Sequence, residues 1–270
     1  MKRRFCGLAL TVLLLAPASA AHAATFGRPI LDVPFVTTPE AVVTAMLKLA
    51  GTRPDDVVYD LGSGDGRIVI AAVRDFAVRR AVGVDLDPRR VSEARAAAAK
   101  AGLGDRVRFA QGDVFKFDFS PATVVTMYLS PRINRELRPR LSNLKPGTRI
   151  VSHSFLLGEW EPDKTVEVEE FHQIYLWVVP AQLAGHWSWD VGADHYTMEL
   201  RQSFQKVTGT LHAAGREGPI ADGSVTGDRL RFSVRMGETL IKFDGRLAGD
   251  SIAAALTGKA TARIVARRAP

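Results

Sequence analysis

Between residues 38 and 180 the apolar positions follow two alternating periods. Val42, Val43, Met46, Leu47 and Ala50 fall on one face of a helix. It follows Thr38-Pro39-Glu40, where threonine is expected to cap and proline to occupy the first turn. A buried strand is expected at 57–61, a helix at 67–76, a strand at 81–85 and an alanine-rich helix at 88–101. Further strands are expected at 107–111, 123–128 and 148–152, with a helix at 134–141 between the last two. Segments 165–168 and 172–179 read as a closing pair. Strands alternating with helices imply an α/β fold with a parallel sheet covered on both faces, and a terminal hairpin makes its far edge antiparallel.

After Pro180 the period becomes two. Leu230, Phe232, Val234 and Met236 alternate with Arg229, Arg231, Ser233 and Arg235, so one face is wet. The pattern D-G-x-[VL]-x-G-D-x-[LI] occurs from Asp222 and again from Asp244, and reads as turn, short strand, turn, strand. Residues 181–270 are therefore expected to form a small antiparallel all-β domain, a barrel or sandwich. Its aromatics Trp187, Trp189 and Phe204 read as core more readily than as a partner surface.

Hydrophobic residues make up 46% of the chain and charged residues 24%, which excludes a disordered chain, a collagen or a coiled coil. The formal net charge of +7 exaggerates any attraction to nucleic acid. Lys2, Arg3 and Arg4 supply three of those charges, while residues 24–180 carry 21 basic and 20 acidic side chains. The three cations precede an apolar run over 7–16, too short to cross about 30 Å of hydrocarbon. Ala18-Ser19-Ala20 and Ala21-His22-Ala23 follow, each of A-x-A form. Residues 1–23 thus read as a signal peptide, giving an exported, periplasmic or secreted protein; an uncleaved membrane anchor is the alternative. The one cysteine, Cys6, lies within that segment, so the mature chain has no disulfide and no cysteine metal site.

The chemistry concentrates after the first strand. Asp60-Leu61-Gly62-Ser63-Gly64-Asp65-Gly66 joins strand to helix as D-x-G-x-G-x-G. Such glycines let a ligand approach the backbone closely. Asp60 would repel a pyrophosphate but suits a ligand bearing an ammonium and a sulfonium. Asp85 ends the second strand, 19 residues after Gly66, where a carboxylate accepts both hydroxyls of a ribose. Asp87-Pro88 reads as a helix cap. Asp113 ends the third strand and is placed to accept from an adenine amino group, with Val114 and Phe115 against the ring. Taken alone, Asp113 is equally well a turn residue after Gly112.

Three acids at three successive strand ends beside one glycine loop resemble the class I S-adenosylmethionine-dependent methyltransferases, over roughly residues 35–180. The resemblance implies a Rossmann-like sheet of seven strands, the last antiparallel, over a domain 24–180. It places Asp60 and the loop Gly62, Ser63, Gly64, Asp65, Gly66 by the methionine moiety, Asp85 at the ribose, and Asp113 with Val114 at the adenine. Three stretches narrow it: Pro34-Phe35-Val36-Thr37-Thr38-Pro39, the glycine loop continued through Arg67-Ile68, and Val151-Ser152-His153-Ser154-Phe155 before Trp160. They resemble lysine methyltransferases that include the mitochondrial enzymes for the adenine nucleotide translocase and the ATP synthase c subunit. The export signal and the β domain depart from that family.

The fourth strand ends in Tyr128-Leu129-Ser130-Pro131, not the N/D-P-P-Y of many nucleic-acid amino-methylating enzymes. With the small charge of the catalytic part, a nucleic-acid acceptor is not expected. No cluster has metal-ligand spacing, so no metal is expected. A lysine amine on a protein, including a membrane-associated one, is the expected acceptor, and Tyr128 is the candidate lining of its channel. His153 reads as a core or rim histidine, Asn134 and Arg135 as residues opening a helix, and Glu167, Glu169 and Glu170 as a solvated strand face. The competing function is an exported, non-catalytic module that binds an adenosine-like ligand or a protein.

Overall fold

The computed structural model describes residues 35–258 and 260–269. The export signal expected at residues 1–23 lies outside them. Helix α1 (Glu40–Leu49) is followed by β1 (Val57–Leu61), α2 (Arg67–Asp75), β2 (Arg80–Asp85), α3 (Pro88–Lys100), β3 (Val107–Gln111), β4 (Val124–Met127), α4 (Pro131–Ser142) and β5 (Arg149–His153). A hairpin of β6 (Lys164–Val168) and β7 (His172–Val178) closes the sheet. The order is β3-β2-β1-β4-β5-β7-β6, with every pair among β1 to β5 parallel. One apolar cluster forms under α1, α2 and α3 and another under α4, so the central strands β1 and β4 are buried on both faces.

The hairpin supplies the antiparallel last strand that the sequence predicts, but in a different place. Its antiparallel strand is not at the edge: β7 slots between β5 and β6 and runs opposite to both. The side chains explain the order. β7 buries Ile174 and Trp177, whereas β6 exposes Lys164, Thr165 and Glu167, a composition suited to an open edge. Thr38 also departs from expectation. It does not cap α1; Pro39 is the boundary residue, and the buried Thr38 hydroxyl instead meets Nδ1 of His153 at 3.4 Å. Tertiary contact has taken over a residue whose local preference is capping.

From β8 (Gly185–Val191) the chain is a meander: β9 (Asp194–Ser203), β10 (Lys206–Ala213), β11 (Arg216–Thr226), β12 (Arg229–Met236), β13 (Thr239–Ala248), β14 (Ser251–Thr257) and β15 (Thr261–Arg268). β15 returns to pair with β8 and closes an eight-stranded antiparallel barrel. Trp187, Trp189, Leu211, Phe232 and Phe243 fill its interior. The repeated D-G pairs are not turns. Asp222-Gly223 sits inside β11 at an irregularity of register, Asp222 at φ 52°, and Asp244-Gly245 sits inside regular β13. A Cβ on Gly223 would lie 2.1 Å from the Val207 carbonyl oxygen, so glycine here permits the close approach of β10. The second pair of each repeat, Gly227-Asp228 and Gly249-Asp250, does form the turn.

Sheet and barrel belong to one compact unit. Phe204, between β9 and β10, stacks on Trp160 with centroids 5.2 Å apart. Trp160 Nε1 donates to Gln205 Oε1 at 2.9 Å, Gln205 Nε2 donates to the Glu161 carbonyl at 2.7 Å, and the Ala181 amide donates to Gly227 O at 2.7 Å.

Candidate active site

β1 delivers Asp60 to the carboxyl edge of the sheet, and the chain then turns through Gly62, Gly64 and Gly66, all at positive φ. The amides of Gly62 and Ser63 donate to Val84 O, which ties the loop to β2. Asp85 at the end of β2 holds two turns at once: its Oδ2 accepts from the Gly64 amide at 2.8 Å and its Oδ1 from the Asp87 amide at 2.9 Å. Asp87 caps α3 by accepting from the Arg89 amide at 2.9 Å, with Pro88 in the first turn, as the sequence suggests.

These elements wall a cavity of about 410 Å³, within the range of small-molecule sites. Of the ten residues singled out in the sequence, Asp60, Gly62, Ser63, Gly64, Asp65, Asp85, Asp113, Val114 and Tyr128 line it. Gly66 does not. It opens α2 at φ 82°, and a Cβ there would come within 2.4 Å of the Phe109 ring, so its part is close packing behind the loop. Gly64 faces the other way: a Cβ would lie 2.4 Å from Phe35 Cε2.

Charge at this site is uneven. Asp60 is 2% exposed, and its hydrogen bond from a neighbouring side chain comes from Thr126 Oγ1 at 2.7 Å. Burial pushes its pKa up to about 7; the Thr126 bond opposes this, and the charges of Asp85 and Asp65 add to it. Asp65 is different. Burial would raise its pKa, but hydrogen bonds from the Arg67 side chain and amide outweigh that and hold it below the usual carboxylate range. Arg67 Nη1 also donates to Thr38 O at 2.9 Å, anchoring the segment that covers the cavity. Asp113 lines the cavity while its Oδ1 accepts from the Phe115 amide at 2.9 Å, so its turn role and its cavity-facing position coexist.

At the far end Tyr128 stacks between His153 and Phe155, with centroids at 3.9 and 5.9 Å. His153 is fully buried; desolvation lowers its pKa to about 4, with a contribution from His172, whose Nδ1 lies 2.9 Å from His153 Nε2. It is a core histidine behind the cavity wall. Asn134 does not open a helix, since α4 starts at Pro131 behind its cap Ser130. Asn134 is wholly buried, and its Nδ2 donates to Ser152 Oγ and to Phe155 O, both at 3.1 Å, fixing the turn that carries Phe155.

Sequence reasoning missed Phe35 and Arg90. The Arg90 guanidinium lies 3.8 Å from the Phe35 ring centroid, and both line the cavity. The one available signal was the apolar pair Phe35-Val36 just before Thr37-Thr38-Pro39.

Similarity to known proteins follows the same region. Residues 60–164 match the family described as ANTKMT methyltransferase domain. The chain is 48% identical over 151 residues to a protein-lysine N-methyltransferase of Saccharolobus islandicus, covering 54% of this chain and 94% of that protein. It is 38% identical over 133 residues to the mouse adenine nucleotide translocase lysine N-methyltransferase, covering 49% of this chain and 57% of that protein. A crystal structure from Salinibacter ruber, described as an RNA methyltransferase in complex with S-adenosyl-L-homocysteine, shares 51% identity at a TM-score of 0.53, covering 55% of this chain and 96% of that one. The chain therefore belongs to the S-adenosylmethionine-dependent methyltransferase family that contains the ANTKMT domain and these protein-lysine N-methyltransferases.

Proposed function

We propose that this protein uses S-adenosylmethionine to methylate the ε-amine of a lysine on a protein. The observation that carries the reading is Asp60: a carboxylate buried at the cavity wall beside the glycine loop, with no cationic partner among the described residues. Such a group is costly until a cationic ligand arrives. S-adenosylmethionine supplies a methyl group on a positively charged sulfur. In this reading Asp60 and the loop of Gly62, Ser63, Gly64 and Asp65 hold the methionine end. Asp85 accepts from the ribose with the lone pairs left by its two backbone bonds, and Asp113 with Val114 takes the adenine. Phe35 and Arg90 cover the site and exclude water.

Tyr128 lines the acceptor's approach. The neutral lysine nitrogen would form its bond to the methyl carbon with its lone pair, the carbon–sulfur bond would break with its electron pair going to sulfur, and the surplus proton on nitrogen would leave to solvent. His153 stays neutral near neutral pH and sits behind Tyr128, so it serves as packing rather than as base. The lysine-directed relatives support this acceptor. An RNA acceptor is the second reading, favoured by the description of the Salinibacter structure. The near balance of charge over residues 24–180 weighs against it. Labelled S-adenosylmethionine offered in parallel to envelope proteins and to RNA separates the two: label on lysine is expected, and label on RNA overturns the lysine assignment.

The basic start, the apolar run and the A-x-A sites support export of the mature enzyme, with a boundary near Pro180–Gly185 between catalytic and barrel parts. Cell fractionation with N-terminal sequencing checks the first: a mature N-terminus at Ala21 or Ala24 is expected, and an intact Met1 in the membrane fraction favours an anchor.

A further inference from the structure

The barrel wall carries its charge unevenly. The charged side chains on β8 to β11 are mixed, with Asp190, Asp194, Glu199, Glu217 and Asp222 facing Arg201, Lys206 and Arg216. On β12 to β15, Asp244 is the single acid within the strands, against eight arginines and lysines. Asp244 is already shared by Arg229 at 2.5 Å and Arg231 at 3.5 Å, and Arg246 reaches Asp228 in the turn before β12. Glu238 and Asp250 occupy the turns that flank β13. Arg235, Lys242, Arg263 and Arg267 are exposed and have no ion-pair partner among the described residues.

Between these cations β14 turns only small side chains outward, Ala253 and Ala255 at its centre. A shallow depression opens over them, lined by Arg229, Arg246 and Arg263 with the single acid Asp244. Val265 beside it is 51% exposed, and Leu240 on the same wall is 41% exposed. The wall is therefore cationic and apolar together, and the barrel's closed hydrogen bonding holds it rigid.

We propose that this wall of the barrel, β12 to β15, docks on an anionic lipid surface. Its cations match acidic headgroups, and Leu240 and Val265 are apolar groups that settle at headgroup depth. A single-stranded nucleic acid is a poorer match. The rings of this part, Phe232 and Phe243, point inward, which leaves no aromatic platform for bases. Such docking is independent of which acceptor receives the methyl group.

The test is vesicle flotation of the full chain. Vesicles of phosphatidylcholine alone are compared with vesicles containing phosphatidylglycerol, for the parent and for R235E/K242E/R263E/R267E. Each basic side chain near an anionic surface contributes about fivefold in partition. The parent is expected to bind phosphatidylglycerol vesicles in a salt-sensitive way, and the variant to lose about a hundredfold or more. Reversing Arg201 and Arg216 on the opposite wall should change little. The milder K242E/R263E serves if the fourfold variant does not fold, with a loss of at least about tenfold expected. Residues 1–34 are common to all these proteins, so the difference reports the wall. Equal partition of parent and variant overturns the proposal. So does tighter, wall-dependent binding to an RNA oligonucleotide than to the vesicles.

Discussion

At the carboxyl edge of the sheet Asp60 and Ser63 line the cavity at 2% and 5% exposed, and Ser63 Oγ has no hydrogen-bond partner among the described residues. The barrel interior is walled by Trp187, Leu211, Phe232 and Phe243, and its one unpartnered buried side-chain atom among the described residues is Trp189 Nε1. Burying polar groups without full compensation costs stability, and folds tolerate it where a ligand or a reaction repays the cost. The barrel shows the opposite arrangement: apolar inside, with its charges on the outer wall. One region holds latent electrostatic energy for a cofactor, while the other stores stability.

The sharpest way to break this contrast is in the barrel core. Trp187→Ala removes a fully buried ring and is expected to cost about 3–5 kcal/mol, while the S-adenosylmethionine affinity of the folded protein is unchanged, since no barrel residue among the described residues lines the cavity. Denaturant unfolding beside calorimetric titration checks both halves; a loss of affinity in folded protein would tie the barrel to the site.

Asp60→Asn should act with the reverse sign. With a folded pKa of about 7 against 3.8 unfolded, the folded chain holds an extra proton between those values. Stability contributed by this group is therefore full below pH 3.8 and is lost as pH rises to about 7. Above pH 7 the amide variant should be more stable than the parent by up to about 4 kcal/mol and bind cofactor far more weakly. Thermal melts at pH 5 and pH 8 measure this, and equal shifts at both would remove Asp60 from the account. In the parent, cofactor affinity should rise with pH up to about 7 and then level, because the bound cation favours the carboxylate.

His153 sets the acid side. Its pKa falls from 6.5 to about 4 on folding, so the unfolded chain takes up a proton first and stability drops as pH falls through that window. The drop amounts to up to about 3 kcal/mol and should vanish in His153→Gln, as urea titrations at pH 4.5 and 7 will read.

Asp85→Ala gives the smallest effect, about tenfold in cofactor affinity from one lost charge-assisted bond. The Gly64 and Asp87 amides lose their acceptor too, so some of that loss comes through a loosened loop. An unchanged dissociation constant would take Asp85 out of the site.

Strand 57–61 stands where the pattern puts it because a strand buried on both faces leaves a nearly continuous apolar run, and the edge strand 107–111 because Val107 and Phe109 alternate with the exposed Arg108 and Gln111 around them. The glycine loop and the three acids were legible for a similar reason: local spacing carries them. The rest required contacts distant in sequence. Thr38 meets His153 across 115 residues, and nothing near Thr38 announces that it will not cap. Asn134 looks like a helix opener until Ser152 and Phe155 arrive beside it. The Asp-Gly pairs look like turns because the pattern does not reveal that β11 and β13 run straight through them.

The stack of Phe204 on Trp160 also bears on biosynthesis. Trp160 belongs to the apolar cluster of the sheet, but part of its cover lies 45 residues downstream, at Gln205 and its neighbour. On a ribosome adding about 5–20 residues per second, that separation leaves the indole face bare for a few seconds after Trp160 itself has emerged. The nascent chain thus passes through a stage with one sticky patch at a known place. A chaperone that shields Trp160 would be needed only until the turn between β9 and β10 takes its seat.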